Sequence, residues 1–364
     1  MTLLSQIPAH IQSISPYVPG KPITALSRET GVPVAQIIKL ASNENPLGMS
    51  PMARRAASQV LSGGERYPDQ FDLIAKISKY LDVAANQIVL GNGSNDVLDL
   101  VARIFLLPGT AAVMSQYAFA VYPISTATAG ARSIVVPALN FGHDLDAMLA
   151  AIDQATRLVW IANPNNPTGN FLPYPQLKSF LAKVPADVAV VLDEAYNEYL
   201  PPHQREDATR WLEQFPNLII TRTFSKIYGL AGMRVGYAVA APGVSDLLNR
   251  VRQPFNVNSL ALAAAQAAID DQAFLTESYE QNQRGMAQIV EGLVQLGLSY
   301  IPPHGNFVTF AVADGAKVNA RLLQHGVIVR PIAGYGLPNH LRVTIGVDNE
   351  NSRFLEALTL ALID

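Results

Sequence analysis

Short apolar or β-branched runs recur along the middle of this chain, at residues 88–90, 112–114, 133–136, 158–162, 188–192, 218–221 and 235–240, with helix-length segments between them. That alternation is the pattern of a mostly parallel sheet joined by crossover helices, an α/β fold with helices on both faces. The segment after Gly93 carries the helical period, with Val97, Leu98, Val101, Ile104 and Phe105 on one stripe. Beyond Val257 the pattern changes to a long alanine-rich helix followed by short strands near 307–312, 327–329 and 341–345, which predicts a second, smaller α+β lobe. The Pro- and Gly-rich opening through Pro22 suits neither regular helix nor central strand and reads as an arm. The expected division is an N-terminal arm over 1–35 that joins the small lobe, a large ligand-binding domain over 36–250, and a small C-terminal α+β domain over 251–364. A length of 364 residues agrees with two lobes, and two lobes imply a cleft.

Composition narrows the partners. Hydrophobic residues make up 49% of the chain and charged ones 15%, the balance of a chain that buries a large core. A net charge of −3 and a pI near 6.1 give no general attraction for nucleic acid or anionic lipid, so a small-molecule ligand is expected. The absence of cysteine excludes thiolate metal sites and thiol catalysis. The histidines are scattered, none at i, i+4 near a carboxylate, so no metal site is expected. The first twenty residues lack a basic start and an apolar core, and Pro8 and Pro16 interrupt them, so no signal peptide is expected. The alanine-rich stretch at 260–269 is far shorter than the roughly 20 residues a bilayer requires. A soluble, cytoplasmic protein is the expectation.

Ligands of open α/β sheets bind at the carboxyl ends of the strands, and the residues that follow these runs are unusually polar. They read Gly91-Asn92-Gly93-Ser94-Asn95, Asn163-Pro164-Asn165-Asn166-Pro167-Thr168-Gly169, Asp193-Glu194-Ala195-Tyr196 and Thr223-Phe224-Ser225-Lys226. Gly93 to Asn95, opening a helix, suit a phosphate through close backbone approach and free N–H groups, though a short glycine pair is also an ordinary turn. Asp193 ends a buried strand, where a carboxylate needs either a positive partner such as a protonated ring nitrogen or a place as a helix N-cap. Lys226 is one of eight lysines, and Lys76, Lys79 and Lys178 fall on polar helical faces. A lone lysine is usually a solvated ammonium. One partly buried among hydroxyls, with Gly229, Gly232 and Arg234 close behind, can attack an aldehyde. Phosphate donors at Gly93, Ser94, Asn95, Ser225 and Arg234, a carboxylate at Asp193, and hydrogen-bond groups at Asn166 and Tyr196 meet the separate needs of one aromatic aldehyde phosphate.

With these residues in view, the chain resembles the fold type I family of pyridoxal 5'-phosphate (PLP) enzymes and, within it, the histidinol-phosphate aminotransferase family. The resemblance includes Tyr17-Val18-Pro19-Gly20-Lys21-Pro22, the 39–48 stretch with Asn43-Glu44-Asn45-Pro46, Arg66-Tyr67-Pro68-Asp69 and Asn165-Asn166-Pro167-Thr168-Gly169. It continues through Asp193-Glu194-Ala195-Tyr196, the 226–237 stretch, Tyr335-Gly336-Leu337-Pro338-Asn339 and Leu341-Arg342-Val343-Thr344-Ile345-Gly346, so it covers nearly the whole chain.

The resemblance implies a role for each matched position. Lys226 is the lysine that holds PLP as a Schiff base and, once displaced by substrate, moves the proton between substrate and cofactor. Asp193 keeps the pyridine nitrogen protonated, and Asn166 and Tyr196 hydrogen-bond the ring oxygen. Lys226, Asp193 and Tyr196 are thus the expected catalytic set. Arg234, Ser225, Thr223 and the Gly93-Ser94-Asn95 turn form the phosphate cup. Tyr67 resembles a tyrosine that reaches the phosphate from a partner subunit, which implies a homodimer with shared sites. Phe119 is the expected aromatic on the pyridine face, with Tyr117 as the alternative; Tyr117, Phe119 and Tyr122 also read as plain core. Arg342 resembles the arginine that grips a carboxylate, and Arg330, Tyr17 and Asn43 read as further substrate contacts, the first two facing a phosphate monoester at the far end.

The implied reaction interconverts L-histidinol phosphate and 2-oxoglutarate with imidazole acetol phosphate and L-glutamate, a step of histidine biosynthesis. An aromatic amino acid aminotransferase is the alternative, followed by a threonine-phosphate decarboxylase-like enzyme. A PLP-sensing regulatory domain is disfavoured by the negative net charge and by the lack of a DNA-binding extension.

Overall fold

The protein is described by a computed structural model over residues 2–363. The arm holds one 3-10 turn and a four-residue helix α1 (Ala9–Gln12), then runs extended to α2 (Ile23–Thr30) and a short strand β1 (Ile38–Lys39). The single α turn departs from the helix-free arm expected; Pro8 stands at its N-cap, where a missing N–H costs no intrahelical bond. Helices α3 (Pro51–Val60) and α4 (Phe71–Leu81) lead into the large lobe. There, strands β2 (Ile88–Gly91), β3 (Ala111–Ser115), β4 (Arg132–Val136), β5 (Thr156–Ala162), β6 (Ala189–Asp193), β7 (Leu218–Thr223) and β8 (Gly236–Ala240) fall on the seven apolar runs. Helices α5 (Ser94–Phe105), α6 (Val121–Thr128), α7 (Leu145–Ala150), α8 (Tyr174–Leu181) and α9 (Pro242–Val251) intervene or follow.

These strands form one sheet in the order β2-β8-β7-β6-β5-β3-β4, and only β8 runs against the rest. Both faces are covered. Val190 and Leu192 of β6 join one core with Ile161 and Ile220, while Ala189 and Val191 join the other with Trp160 and Ile219. Burial on both faces is why the strands read as continuous apolar runs instead of alternating ones. From β3 the chain steps outward to β4, then returns to β5 and proceeds the other way through β6 and β7. The carboxyl ends flanking that reversal are where a ligand crevice opens.

Helix α10 (Ser259–Asp270) packs its alanine face, including Ala261, Ala264 and Ala265, into the large-lobe core. The long α11 (Gln272–Gln295) then crosses to the small lobe, where Ile289 and Leu293 enter a separate core. That lobe holds β9 (Tyr300–Ile301), β10 (Phe307–Ala311), α12 (Gly315–Gln324), β11 (Val327–Ile328), β12 (Arg330–Pro331), β13 (His340–Thr344) and α13 (Asp348–Ile363). Four strands make an antiparallel sheet in the order β12-β13-β10-β9. Strand β1 pairs in parallel with β11, and Leu26, Ile37 and Ala41 pack with Ile328, so the arm is fastened to the small lobe. No helix among the described residues is long and apolar enough to cross a membrane.

Candidate active site

A cavity of about 420 Å³ lies at the carboxyl ends of β5, β6 and β7, walled on its open side by the arm and by β13. Lys226 reaches into it from the loop after β7. Its Nζ donates to the carbonyl of Ser42 at 3.2 Å and stands 5.7 Å from the centre of the Tyr196 ring. Burial, and then the nearby Arg342 guanidinium, lower its ammonium to about 8, against a smaller opposing pull from Glu44. A substantial fraction of this amine is therefore neutral near physiological pH, as an ordinary lysine is not.

Asp193, the last residue of β6, is buried on the cavity wall. One carboxylate oxygen accepts the Tyr122 hydroxyl at 2.8 Å, and the other accepts the Ala195 N–H at 3.3 Å. Burial raises its carboxyl above the usual range, with the Tyr122 hydroxyl the largest opposing influence and Lys226 a smaller one. The adjacent Glu194 points elsewhere, into a buried ion pair with Arg222 at 2.8 Å, with Tyr174 donating to its other oxygen at 3.3 Å.

A second set of polar groups closes a network between the lobes. The Tyr196 hydroxyl accepts from Asn43 Nδ2 at 2.9 Å and from Asn166 Nδ2 at 3.3 Å. Asn166 Oδ1 accepts from Arg342 on β13, which fixes the orientation of that amide. Asn43 sits in the left-handed region at φ 56°, a conformation asparagine tolerates better than most residues. It is pinned there by Thr344, whose hydroxyl accepts the Asn43 N–H at 2.9 Å and donates to Asn43 Oδ1 at 3.1 Å. Burial raises the Tyr196 phenol to about 12, Arg342 opposing, so it stays a hydroxyl.

The Gly93 turn behaves as a cradle. Gly93 has φ 83°, a Cβ there would run into the Arg234 guanidinium, and a Cβ on Gly236 would strike the Ser94 backbone. Arg234 is itself left-handed at φ 60° and is held by Ser225 Oγ at 3.3 Å and the Ala231 carbonyl at 3.1 Å. Ser94 and Asn95 at the start of α5, with Thr223, Ser225 and Arg234, therefore present hydroxyl, amide and guanidinium donors to one end of the cavity. The positive end of the α5 dipole points the same way.

Arg342 is buried yet pairs with no carboxylate; it donates to Asn166 and to the Ala41 carbonyl at 2.9 Å, and its Nε has no hydrogen-bond partner among the described residues. Directly across the ladder stands Arg330, the register partner of Arg342 in β12 and β13. Like charges placed opposite one another destabilise a sheet, so the pair is held at a cost that an anion between or beside them would relieve. Arg330 lines a larger adjoining cavity of about 880 Å³, with its guanidinium 5.1 Å from the Tyr17 ring. Tyr17, Ile124 and Tyr335 line both cavities.

Of the residues expected from sequence, Tyr17, Asn43, Ser94, Asn95, Phe119 and Asn166 face the cavity, as do Asp193, Tyr196, Thr223, Ser225, Lys226, Arg234 and Arg342. Gly93 stands behind it as the cradle and Arg330 next door. Phe119 lines the wall, whereas Tyr117 stacks on Phe141 at 6.0 Å outside it. Tyr67 is 79% exposed, lies away from the cavity, and stacks on Phe255 at 4.4 Å. Sequence reasoning missed the chemical part of Tyr122, Tyr335 and Thr344. A tyrosine in an apolar helix carries no local mark that separates a hydroxyl aimed at a carboxylate from one that only fills the core.

An amine whose ammonium is lowered to about 8, a buried carboxylate lining the cavity, a glycine cradle topped by an arginine, and a buried arginine with an unpartnered N–H all surround one space. A space of this size suits a compact ligand. That donor set is the one fold type I PLP-dependent aminotransferases require, and residues 35–358 match the family described as aminotransferase class I and II; the chain belongs to that family, and PLP is its cofactor. The chain is 65% identical over 362 residues to histidinol-phosphate aminotransferase 1 of Dechloromonas aromatica (strain RCB), covering all of both chains. It is 57% identical to histidinol-phosphate aminotransferase 2 of Nitrosospira multiformis, covering 100% of this chain and 93% of that one. Among solved structures, it resembles histidinol-phosphate aminotransferase from Sinorhizobium meliloti in complex with PLP, with a TM-score of 0.90, 29% identity and 98% of each chain covered.

Proposed function

We propose that this enzyme exchanges an amino group between L-histidinol phosphate and 2-oxoglutarate, giving imidazole acetol phosphate and L-glutamate in histidine biosynthesis. The single observation that carries the substrate assignment is the cross-strand pair Arg330 and Arg342 beside the Lys226 cavity. One substrate brings a phosphate monoester and no carboxylate, the other brings two carboxylates, and two arginines in adjoining pockets receive both.

The residues divide the work. Lys226 Nζ is the nucleophile that holds PLP and, after release, the base that carries the proton off the amine-bearing carbon. When bound, PLP supplies an aldehyde that condenses with amines and a pyridinium ring that stabilises the electron pair left at that carbon. Asp193 balances the ring nitrogen's charge. Asn166 and Tyr196 serve the ring oxygen; both asparagine amides donate to the Tyr196 oxygen, which leaves its own proton for an acceptor in the cavity. Phe119 packs against the ring, and Ser94, Asn95, Thr223, Ser225 and Arg234 hold the phosphate in the Gly93 cradle. Arg342 takes a carboxylate, Arg330 with Tyr17 takes the far anion, and Asn43 is a further substrate contact beside Tyr196.

The reading includes a homodimer in which Tyr67, exposed here beside Phe255, enters the phosphate cup of the partner. Exposed Leu61 and Phe71 nearby suit such an interface. We place the enzyme in the cytoplasm, with the boundaries 1–35, 36–250 and 251–364 for arm, large PLP-binding domain and small domain, the first helix of the last segment, α10, docking on the large lobe.

The test is a comparison of donors with 2-oxoglutarate as acceptor and glutamate as readout. L-histidinol phosphate should exceed phenylalanine in kcat/KM by at least about tenfold, because only it fills the second anion site. Equal or greater turnover of phenylalanine would move the assignment to an aromatic aminotransferase, and carbon dioxide release from threonine phosphate would move it to a decarboxylase.

A further inference from the structure

Tyr122 belongs to none of the groups assigned above, yet it touches two of them. It lies near the start of α6, fully buried, and its ring stacks flat on Trp160 of β5, with centroids 4.9 Å apart and planes 1° apart. Trp160 is in turn tied down by its indole N–H, which donates to Thr126 Oγ1 at 3.2 Å. A buried tyrosine needs a partner for its hydroxyl, and this one is Asp193 Oδ2 at 2.8 Å. On its edge the same ring meets Phe119 in a T-shaped contact, centroids 5.7 Å apart at 86°. Phe119, Tyr122 and Asp193 all line the cavity. One rigid side chain therefore braces both the aromatic wall and the carboxylate of the cofactor pocket.

We propose that Tyr122 is a positioning residue for the reaction: its hydroxyl anchors the Asp193 carboxylate as the counter-ion of the cofactor's ring nitrogen, while its ring fixes Phe119 against the cofactor face. The inference rests on the PLP assignment. The groups around Asp193 leave few substitutes for that hydroxyl. Besides Tyr122 they are Thr221 on β7, the Ala195 N–H, and Lys226, whose amine is committed elsewhere. Donation from Tyr122 lowers the basicity of the carboxylate, so the proton shared with a pyridine nitrogen rests on the nitrogen. Without it, the buried carboxyl competes for that proton, and the ring loses part of its capacity to take up electrons. No bond to Tyr122 forms or breaks.

Tyr122→Phe deletes the hydroxyl and keeps both ring contacts. Apo forms of wild type and variant would be titrated with PLP and with 1-deaza-PLP, in which a carbon replaces the ring nitrogen. Tyr122→Phe should weaken PLP about tenfold and leave the deaza analogue unchanged, because a hydrogen bond to a charged group is lost only where that charge has a partner. With PLP labelled by 15N in the ring, the nitrogen resonance should move toward the unprotonated position in the variant. Equal weakening of both ligands, or of neither, with an unmoved resonance, would overturn the proposal. If Tyr122→Phe does not fold, 3-fluorotyrosine at position 122 keeps the shape and makes the hydroxyl a stronger donor. It should move the resonance toward the protonated position, and an unmoved signal would overturn the proposal in the same way. Failure of the wild type to bind PLP would instead sink the cofactor assignment.

Discussion

At the scale of single residues, the account turns on the Lys226 amine. Burial, and then the positive charge of Arg342, hold its ammonium near 8, well below the ordinary value of 10.5. A lowered value means the folded chain sheds a proton that the unfolded chain keeps between those two limits. Stability of the apo protein therefore rises with pH across that window. It also sets how fast the apo protein captures its cofactor. The rate of covalent PLP uptake in stopped flow should rise with pH and level off above a midpoint near 8, because only the neutral amine attacks. A rate still climbing past pH of about 10, as for a solvated lysine, would contradict the burial argument. This residue was legible in sequence through its companions, since a lone lysine says little and one that follows a strand, a threonine and a serine says more. Tyr122 was not. Its role depends on a 2.8 Å contact with a residue 71 positions away, and nothing in the local spacing encodes that reach.

Among elements, the turn from β2 into α5 does the most for ligand binding in the least chain. Gly93 holds φ 83° and has no room for a methyl group against Arg234. Gly93→Ala should cost about 1–3 kcal/mol of stability from backbone strain, and in addition should weaken PLP by roughly a hundredfold as Arg234 is displaced. Gly31, at φ 76° with open space around it, is the matched control: Gly31→Ala should bear the strain and leave PLP affinity alone. Calorimetric melting and PLP titration of both variants separate the two effects, and equal PLP affinity in Gly93→Ala and wild type would contradict the cradle. The strands of the large sheet were readable because burial on both faces imprints unbroken apolar runs. The two-residue strands β9 and β12 were not, as a run that short carries no period. With β12 unread, the facing of Arg330 and Arg342 was out of reach too, since register is a property of the pairing and not of either segment.

Across the whole molecule, the site exists only where three parts of the chain meet. The large sheet supplies Asp193, Tyr196 and Lys226, the arm supplies Tyr17 and the loop after β1 Asn43, and β13 of the small lobe supplies Arg342 and Thr344. The link from Thr344 through Asn43, Tyr196 and Asn166 to Arg342 returns to the strand it left, so the lobes are joined by polar contacts along the cavity wall. The two-lobe plan was legible from the change of pattern after residue 257. The attachment of α10 to the large lobe was less so, because an alanine-rich helix can pack closely against either neighbour. Tyr67 reads as a site residue by motif but lies outside the cavity of its own chain, which is what a contribution across a dimer requires. The most direct measurement of the central claim is to load the protein with PLP, reduce it with borohydride so that the cofactor stays on its lysine, and map the peptides by mass. The account predicts the added mass on Lys226 alone of the eight lysines; a label on Lys21, Lys39 or any other lysine, or none at all, would contradict it.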